Sequence, residues 1–394
     1  MTGVKAKNIL SEMKLHPFCI CVLIVLSAGA GRAELLGYAE ARGFGLAGVS
    51  AGDKMNYIIL ERVRPTFTDD LEPVPHTSLT VTAQLYFQQG RNHPEIEEMD
   101  DYLTIERLYL DSFFESFDLR IGRQAVNWGS ALIWNPTDLF REVFLTDYWA
   151  ERKGINAAKF YVPLSGNSHL TAVVATGDTS GVDNRYGLKL GTTWKESDLA
   201  AVFMDDTVSD RLVWGLDIKG QFKIGYWLEA AWFAPKDKDL DEHLEAVVGV
   251  DYSFPVKGGL ILQAQYYHDG SGEKLREDYD WMAVLANTRF GLAEDYASIM
   301  ASLAWDEEVS MALLGISNLD DSTWIITPYL NMTLPHDLQL NIGANIPLGP
   351  EPGEFRPGDK PEELTDDPLL QTALSEYLPE LPESVYYIWL RWSY

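Results

Sequence analysis

The stretch Ser384-Val385-Tyr386-Tyr387-Ile388-Trp389-Leu390-Arg391-Trp392-Ser393-Tyr394 decides the fold. In an extended chain successive side chains point to opposite faces, so Tyr386, Ile388, Leu390, Trp392 and Tyr394 share one wholly apolar face. The same period of two recurs upstream. Leu79, Val81, Ala83, Leu85 and Phe87 alternate with Thr80, Thr82, Gln84, Tyr86 and Gln88. Trp324, Ile326, Pro328 and Leu330 alternate with Ile325, Thr327, Tyr329 and Asn331, and Leu338, Leu340, Ile342 and Ala344 with Gln339, Asn341 and Gly343. This is the pattern of a sheet whose two faces meet unlike surroundings.

A soluble sandwich and a barrel in lipid both satisfy that pattern, and connection lengths separate them. Strands are expected to start near residues 36, 56, 78, 102, 117, 155, 168, 184, 198, 211, 222, 244, 258, 295, 308, 323, 337 and 384. Connections at one end are mostly tight, as at Phe114 to Ser116, Lys195 to Ser197, Gly220-Gln221 and Pro335 to Asp337. At the other end they are mostly long: Asn127 to Gly154, Thr176 to Asp183, Pro235 to His243, His268 to Glu294 and Pro347 to Glu383. A sandwich has no reason to sort its loops by parity. A membrane barrel does, with short periplasmic turns and long extracellular loops. The expected fold is therefore all-β: a transmembrane antiparallel up-and-down β-barrel of about 18 strands, within 16–18. It occupies residues 34–394 as a single domain. The chain is 12% aromatic, and Trp194, Trp232, Tyr252, Tyr266, Trp305 and Trp324 fall near strand ends, where interfacial girdles form.

The first 33 residues differ from the rest. Lys5, Lys7 and Lys14 precede an apolar run from Phe18 to Ala30, followed by Gly31-Arg32-Ala33. Roughly 13 apolar residues are too few for a spanning helix, which needs roughly 20. The segment reads as a cleaved secretory signal. Both cysteines, Cys19 and Cys21, lie within it, so residues 34–394 have no disulfide, thiolate metal site or cysteine nucleophile. With 31 Lys+Arg against 59 Asp+Glu the net charge is −28, which repels phosphates and excludes a nucleic-acid partner.

The alternating C-terminal strand resembles the assembly signal of Gram-negative outer-membrane proteins. One segment is more specific: Leu119-Arg120-Ile121-Gly122-Arg123-Gln124, then Trp128-Gly129, then Asn135-Pro136-Thr137-Asp138-Leu139-Phe140. It looks like a pattern in porin-like outer-membrane families, including alginate-export-like barrels. Asn318-Leu319-Asp320-Asp321-Ser322 is also similar to such proteins. The resemblance implies a location in the Gram-negative outer membrane. Barrel-assembly machinery, membrane lipid and lipopolysaccharide are the expected partners; substrate does not transfer with the resemblance, and the expected role is a channel for passive diffusion of polar small solutes. An export or assembly component for polysaccharide-like polymer, or a non-conducting structural barrel, are the alternatives.

Residues 127–154 are expected either to turn into the lumen as a constriction or to stand outward. Leu139-Phe140 is apolar enough to anchor an inward turn on the wall. Candidate pore-lining or constriction residues are Arg107, Tyr109, Asp111, Arg120, Gln124, Trp128, Asn135, Asp138, Lys189, Asp217, Lys219 and Asp251. A mixed ring of Arg107, Tyr109, Asp111 and Arg120 would either orient a polar solute or pair within itself and stiffen the wall. Residues 347–383, rich in Asp and Glu, read as an acidic extracellular loop with a short helix around Leu369 to Tyr377.

No enzyme and no cofactor is expected. Gly43-Phe44-Gly45-Leu46-Ala47-Gly48 matches a dinucleotide-binding spacing but lacks its helix, and the chain carries no G-x-S-x-G or H-E-x-x-H pattern. Asp237, Asp239 and Asp241 have the alternate spacing that begins a calcium loop. Val248 stands where the closing Glu would be, which leaves them weak candidates for a metal.

Overall fold

The computed structural model describes residues 34–47, 56–71, 74, 76–91, 102–140, 152–176, 184–285, 289, 291–378 and 381–394. The signal-like segment lies outside them. Eighteen strands follow one another: β1 (Glu34–Ala47), β2 (Asn56–Asp70), β3 (Thr77–Arg91), β4 (Tyr102–Phe113), β5 (Asp118–Gln124), β6 (Ile155–Pro163), β7 (Ser168–Thr176), β8 (Asn184–Trp194) and β9 (Ser197–Asp206). The second half is β10 (Arg211–Gln221), β11 (Gly225–Pro235), β12 (His243–Phe254), β13 (Gly259–Asp269), β14 (Asp295–Ala304), β15 (Val309–Asn318), β16 (Trp324–Leu334), β17 (Leu338–Leu348) and β18 (Ser384–Ser393). Two short helices lie in the long connections, α1 (Trp281–Leu285) and α2 (Pro368–Tyr377). Among the described residues no helix is long and apolar enough to cross a membrane.

Each strand pairs antiparallel with the next, and β18 pairs with β1 from Tyr38↔Ser393 to Ala47↔Ser384, so the sheet closes on itself. The widest departure from the expected starts is β11. Pairing of Gln221 with Gly225 moves the hairpin turn to residues 222–224.

Alternation sets the two faces. Leu188, Leu190, Trp214, Leu216, Leu228 and Val248 are exposed, while Val173, Val202, Met204, Val213, Ala231 and Val247, in the opposite phase, are buried. The exposed apolar face is the outer one, suited to hydrocarbon. Exposed Trp194, Tyr252 and Trp305 ring the short-turn end; Trp232, Tyr266 and Trp324 ring the other.

The inner space is partly filled. Val126, Trp128 and Phe140 pack on Ala157, Val173, Ala175, Val202, Met204, Val213, Ala231 and Phe233. Ile133 and Trp134 join Val247, Tyr267, Tyr296, Leu314 and Ile316 with Tyr279, Trp281, Leu292, Leu364, Leu374 and Leu378 from the long connections. The acidic stretch 347–383 thus departs from an outward surface loop. Its helix forms where expected, and the apolar side carrying Leu374 and Leu378 drives it onto the barrel mouth.

The closing seam carries a charge network. Glu40 on β1 stands opposite Arg62 on β2 and Arg391 on β18. Its Oε1 accepts from Arg62 Nε at 2.7 Å and Arg42 Nε at 3.0 Å, and its Oε2 from Arg391 Nε at 2.9 Å. Tyr38 lies under Arg391, 4.2 Å from ring centre to guanidinium carbon, and Trp389 lies under Arg42 at 4.0 Å. The Glu40 side chain is 1% exposed. Glu40→Ala removes the carboxylate that three guanidiniums share, and an expected loss of about 3–5 kcal/mol follows, read by urea unfolding in detergent. An unchanged midpoint would show that the seam does not depend on this group.

Candidate functional site

The segment after β5 runs inward and is held mainly by its backbone. Glu229 on β11 is completely buried, and its Oε1 accepts from the Ser130 and Ala131 N–H groups, the latter at 2.5 Å. Its Oε2 accepts from Thr137 Oγ1 at 2.8 Å and Thr137 N–H at 3.3 Å. Leu132 N–H donates to Gln265 Oε1 on β13 at 2.9 Å, the same oxygen that receives the Trp227 indole N–H at 2.8 Å. Buried backbone donors need partners, and a carboxylate aimed at successive N–H groups supplies them strongly.

Side chains fix the remainder. Trp128 meets Phe140 edge to face, with centroids 4.9 Å apart. It lies over Gly187 on β8, where a Cβ would fall 2.5 Å from the indole. Trp134 stacks on Tyr267, centroids 5.3 Å apart and planes 8° off parallel. Gly129 has φ +81, and a Cβ there would be 2.8 Å from Glu229 Oε2, so glycine suits both the turn and the close approach. The returning end is tied by Arg152, which donates to Val126 O and to both carboxylate oxygens of Asp138.

The residues singled out from the sequence divide accordingly. Arg120 grips Asp111 with two bonds, of 2.6 and 2.8 Å, and lies 4.2 Å over the Tyr109 ring. These three pair among themselves along the inner wall. Arg107 donates to Glu106 O at 2.9 Å and to Arg152 O. Gln124 is fully buried, donating to Ala157 O at 2.9 Å, and Trp128 is buried under the segment; both brace rather than line. Asn135 O accepts from Asp138 N–H at 3.0 Å, and Asp138 Oδ1 from Trp128 N–H at 3.3 Å, so these two shape the turn. Asp217 accepts from Ser130 Oγ and lies 3.5 Å from Lys189 Nζ. Lys219, exposed, shares their inward phase, as does Asp251, which lies over Gly225. Asp237, Asp239 and Asp241 are all exposed. Asp237 Oδ1 accepts from Asp239 N–H at 3.0 Å, which closes a turn instead of gathering three carboxylates. The sets of potential metal ligands among the described residues lie elsewhere.

Sequence reasoning missed Glu229 and the group around Glu40. Glu229 shares the phase of Trp227, Ala231 and Phe233, which would have placed it inward; its task follows only from what the loop does.

The Asn318 to Ser322 turn ties the long connections together. Asn318 donates to Tyr279 Oη at 2.9 Å and Glu354 Oε2 at 2.7 Å, and Asp320 Oδ2 accepts from Glu294 and Asp295 N–H groups at 3.0 and 2.9 Å. Asp321 Oδ2 accepts from Glu354 N–H at 2.7 Å, and Tyr296 Oη donates to Glu354 Oε2 at 2.7 Å.

A closed eighteen-strand antiparallel sheet in which each strand pairs with the next is an up-and-down β-barrel, here with a segment held inside it. No protein-family model matches the sequence, and no curated protein matches it. Solved structures do. Acinetobacter baumannii OccAB3 superposes with a TM-score of 0.57 at 9% identity, over 92% of this chain and 99% of that one. A triple mutant of Rhodopseudomonas blastica porin gives a TM-score of 0.46 at 11% identity, over 92% and 100%. At such identities the likeness with OccAB3 is one of fold.

Burial pushes the Glu354 carboxyl up to about 7, with the neighbouring Asp321 charge acting in the same direction. Its proton is held more tightly folded than unfolded. The stabilisation is complete below the ordinary carboxylate range and is lost as pH rises through about 7. Amide exchange at Leu292 and Glu354 should therefore show greater protection from opening at pH 5 than at pH 8, after correction for intrinsic rates. Glu354→Gln should flatten the difference, and a dependence that persists in this variant would assign it to another group.

Proposed function

We propose that this protein is an outer-membrane channel for passive diffusion of polar small solutes, not an enzyme, with residues 125–140 as the internal constriction. The observation that carries the reading is the Glu229 anchor: a completely buried carboxylate on β11 holding the N–H groups of a segment that begins on β5. A segment so held narrows the lumen and leaves the wall of β16, β17, β18, β1 and β2 facing it.

That wall is polar. Tyr329, Asn331, Gln339, Asn341, Tyr387, Trp389 and Arg391 line a cavity of about 100 Å³. Asn331 donates to Asn341 Oδ1 at 2.6 Å and Thr66 bonds Thr82 at 3.0 Å, so the wall offers hydrogen bonds in a regular ladder. Arg42, Arg62 and Arg391 gather there around Glu40, and Arg64 lies 6.0 Å from the Tyr38 ring centre. Guanidinium groups on this wall give anionic solutes donors that cationic solutes of equal size cannot use.

Reconstituted into a planar bilayer, the protein should give stepwise conductance with a reversal potential on the anion side. Glu229→Ala, which removes the anchor, should enlarge the step. Absence of conductance both in the wild type and in a deletion of residues 127–140 would overturn the channel reading in favour of a closed structural barrel. A Glu229→Ala step of unchanged size would remove the constriction role alone.

A further inference from the structure

We infer that His243, Glu245 and Asp269, at the long-loop rim of β12 and β13, form a binding site for one first-row divalent transition-metal ion, of which Zn²⁺ is the test case. Each offers a ligand atom, and the three atoms lie within 4.8 Å of one another. A tetrahedral ion bound at about 2.0–2.2 Å holds its ligands about 3.4 Å apart, so the set closes on an ion by shifts of about 1 Å or less per side chain. One imidazole nitrogen with two carboxylates is the donor set of a borderline ion, where an all-oxygen shell would select Mg²⁺ or Ca²⁺.

The groups behind the ligands orient them as supports do at metal centres. The His243 ring stacks on Phe233, with centroids 4.8 Å apart and planes 6° off parallel, which fixes its direction. Tyr267 Oη donates to Glu245 Oε2 at 2.8 Å, leaving Oε1 turned to His243 Nε2, 3.7 Å away. Asp269 Oδ1 accepts from Ser271 N–H at 2.9 Å and Ser271 Oγ at 2.6 Å, while Arg289 lies 3.6 Å from Oδ2. The side chains are 15%, 20% and 7% exposed, shielded yet open toward the rim. Arg289 offsets one carboxylate charge. The other faces a neutral phenol and an imidazole, so the set keeps one negative charge to attract a cation.

A second set, His268, Glu294 and Asp295, lies on the adjoining rim. Its groups are already committed: His268 Nδ1 is 3.0 Å from Asp295 Oδ1, Tyr266 Oη donates to that same oxygen at 2.5 Å, and Lys274 Nζ lies 3.5 Å from Glu294. That set therefore serves as the internal control. An ion at His243 would fasten the base of the connection carrying Tyr279 and Trp281, which cover the inner cluster.

The test is direct binding of Zn²⁺ to the full chain, folded in detergent and stripped with chelator, by competition with a chromophoric chelator. One Zn²⁺ per chain is expected. Affinity should fall at least tenfold in His243→Ala and in the near-isosteric Glu245→Gln, and about tenfold in Tyr267→Phe, which loses only a supporting bond. His268→Ala should bind as the wild type does. Heat-modifiable migration on gels verifies folding of each variant, so Glu245→Gln decides the matter if His243→Ala fails to fold. No binding by the wild type, or binding lost in His268→Ala and retained in Glu245→Gln, would overturn the assignment. Neither outcome touches the conductance measurement, so the two proposals stand or fall separately.

Discussion

Hydrocarbon offers backbone amides no hydrogen-bond partner, so a sheet that crosses it must have no edge. Every other feature of this molecule follows from closing the ring. Closure needs β1 to pair on both sides, and the residues that enforce it are charged. Glu40 faces Arg62 across one ladder and Arg391 across the other, which fixes register on both sides of the seam. Slipping β18 by one residue would turn Arg391 into lipid and break this contact, and would also turn the face of Tyr386, Ile388, Leu390 and Trp392 inward. Charge and apolar alternation therefore specify the same pairing.

The barrel was legible because its constraint is periodic. Alternation such as that of Leu79 to Gln88 reports a wall with two solvents, and connection lengths report which end is which. Strand starts at residues 56, 102, 155, 168, 184, 211, 295 and 384 agree with the structure for that reason. The interior was less legible. Arg107, Tyr109, Asp111 and Arg120 were found by phase, yet phase could not say that Arg120 would take Asp111 as its partner. Glu229 was missed because its partners are the N–H groups of residues 130, 131 and 137, which carry no sequence signal. The inward packing of Leu374 and Leu378 was hidden by acidic neighbours whose charge suggested an outward surface.

Net charge misleads when it is not divided by compartment. The chain carries 59 acidic groups against 31 basic, yet Arg42, Arg62 and Arg391 share the Glu40 carboxylate on the inner wall. Much of the opposing charge lies in connections such as residues 349–383 and 236–242.

The Glu229 anchor holds the inward segment chiefly by main-chain N–H groups, and every residue except proline offers one. Placement of the segment is thereby set by peptide groups at residues 130–132, while Ala131 and Leu132 pack on the apolar cluster around Ile133 and Trp134. Substitutions there keep the anchoring donors unless proline is introduced. The sequence of this segment can therefore drift without moving it, provided the apolar packing is kept.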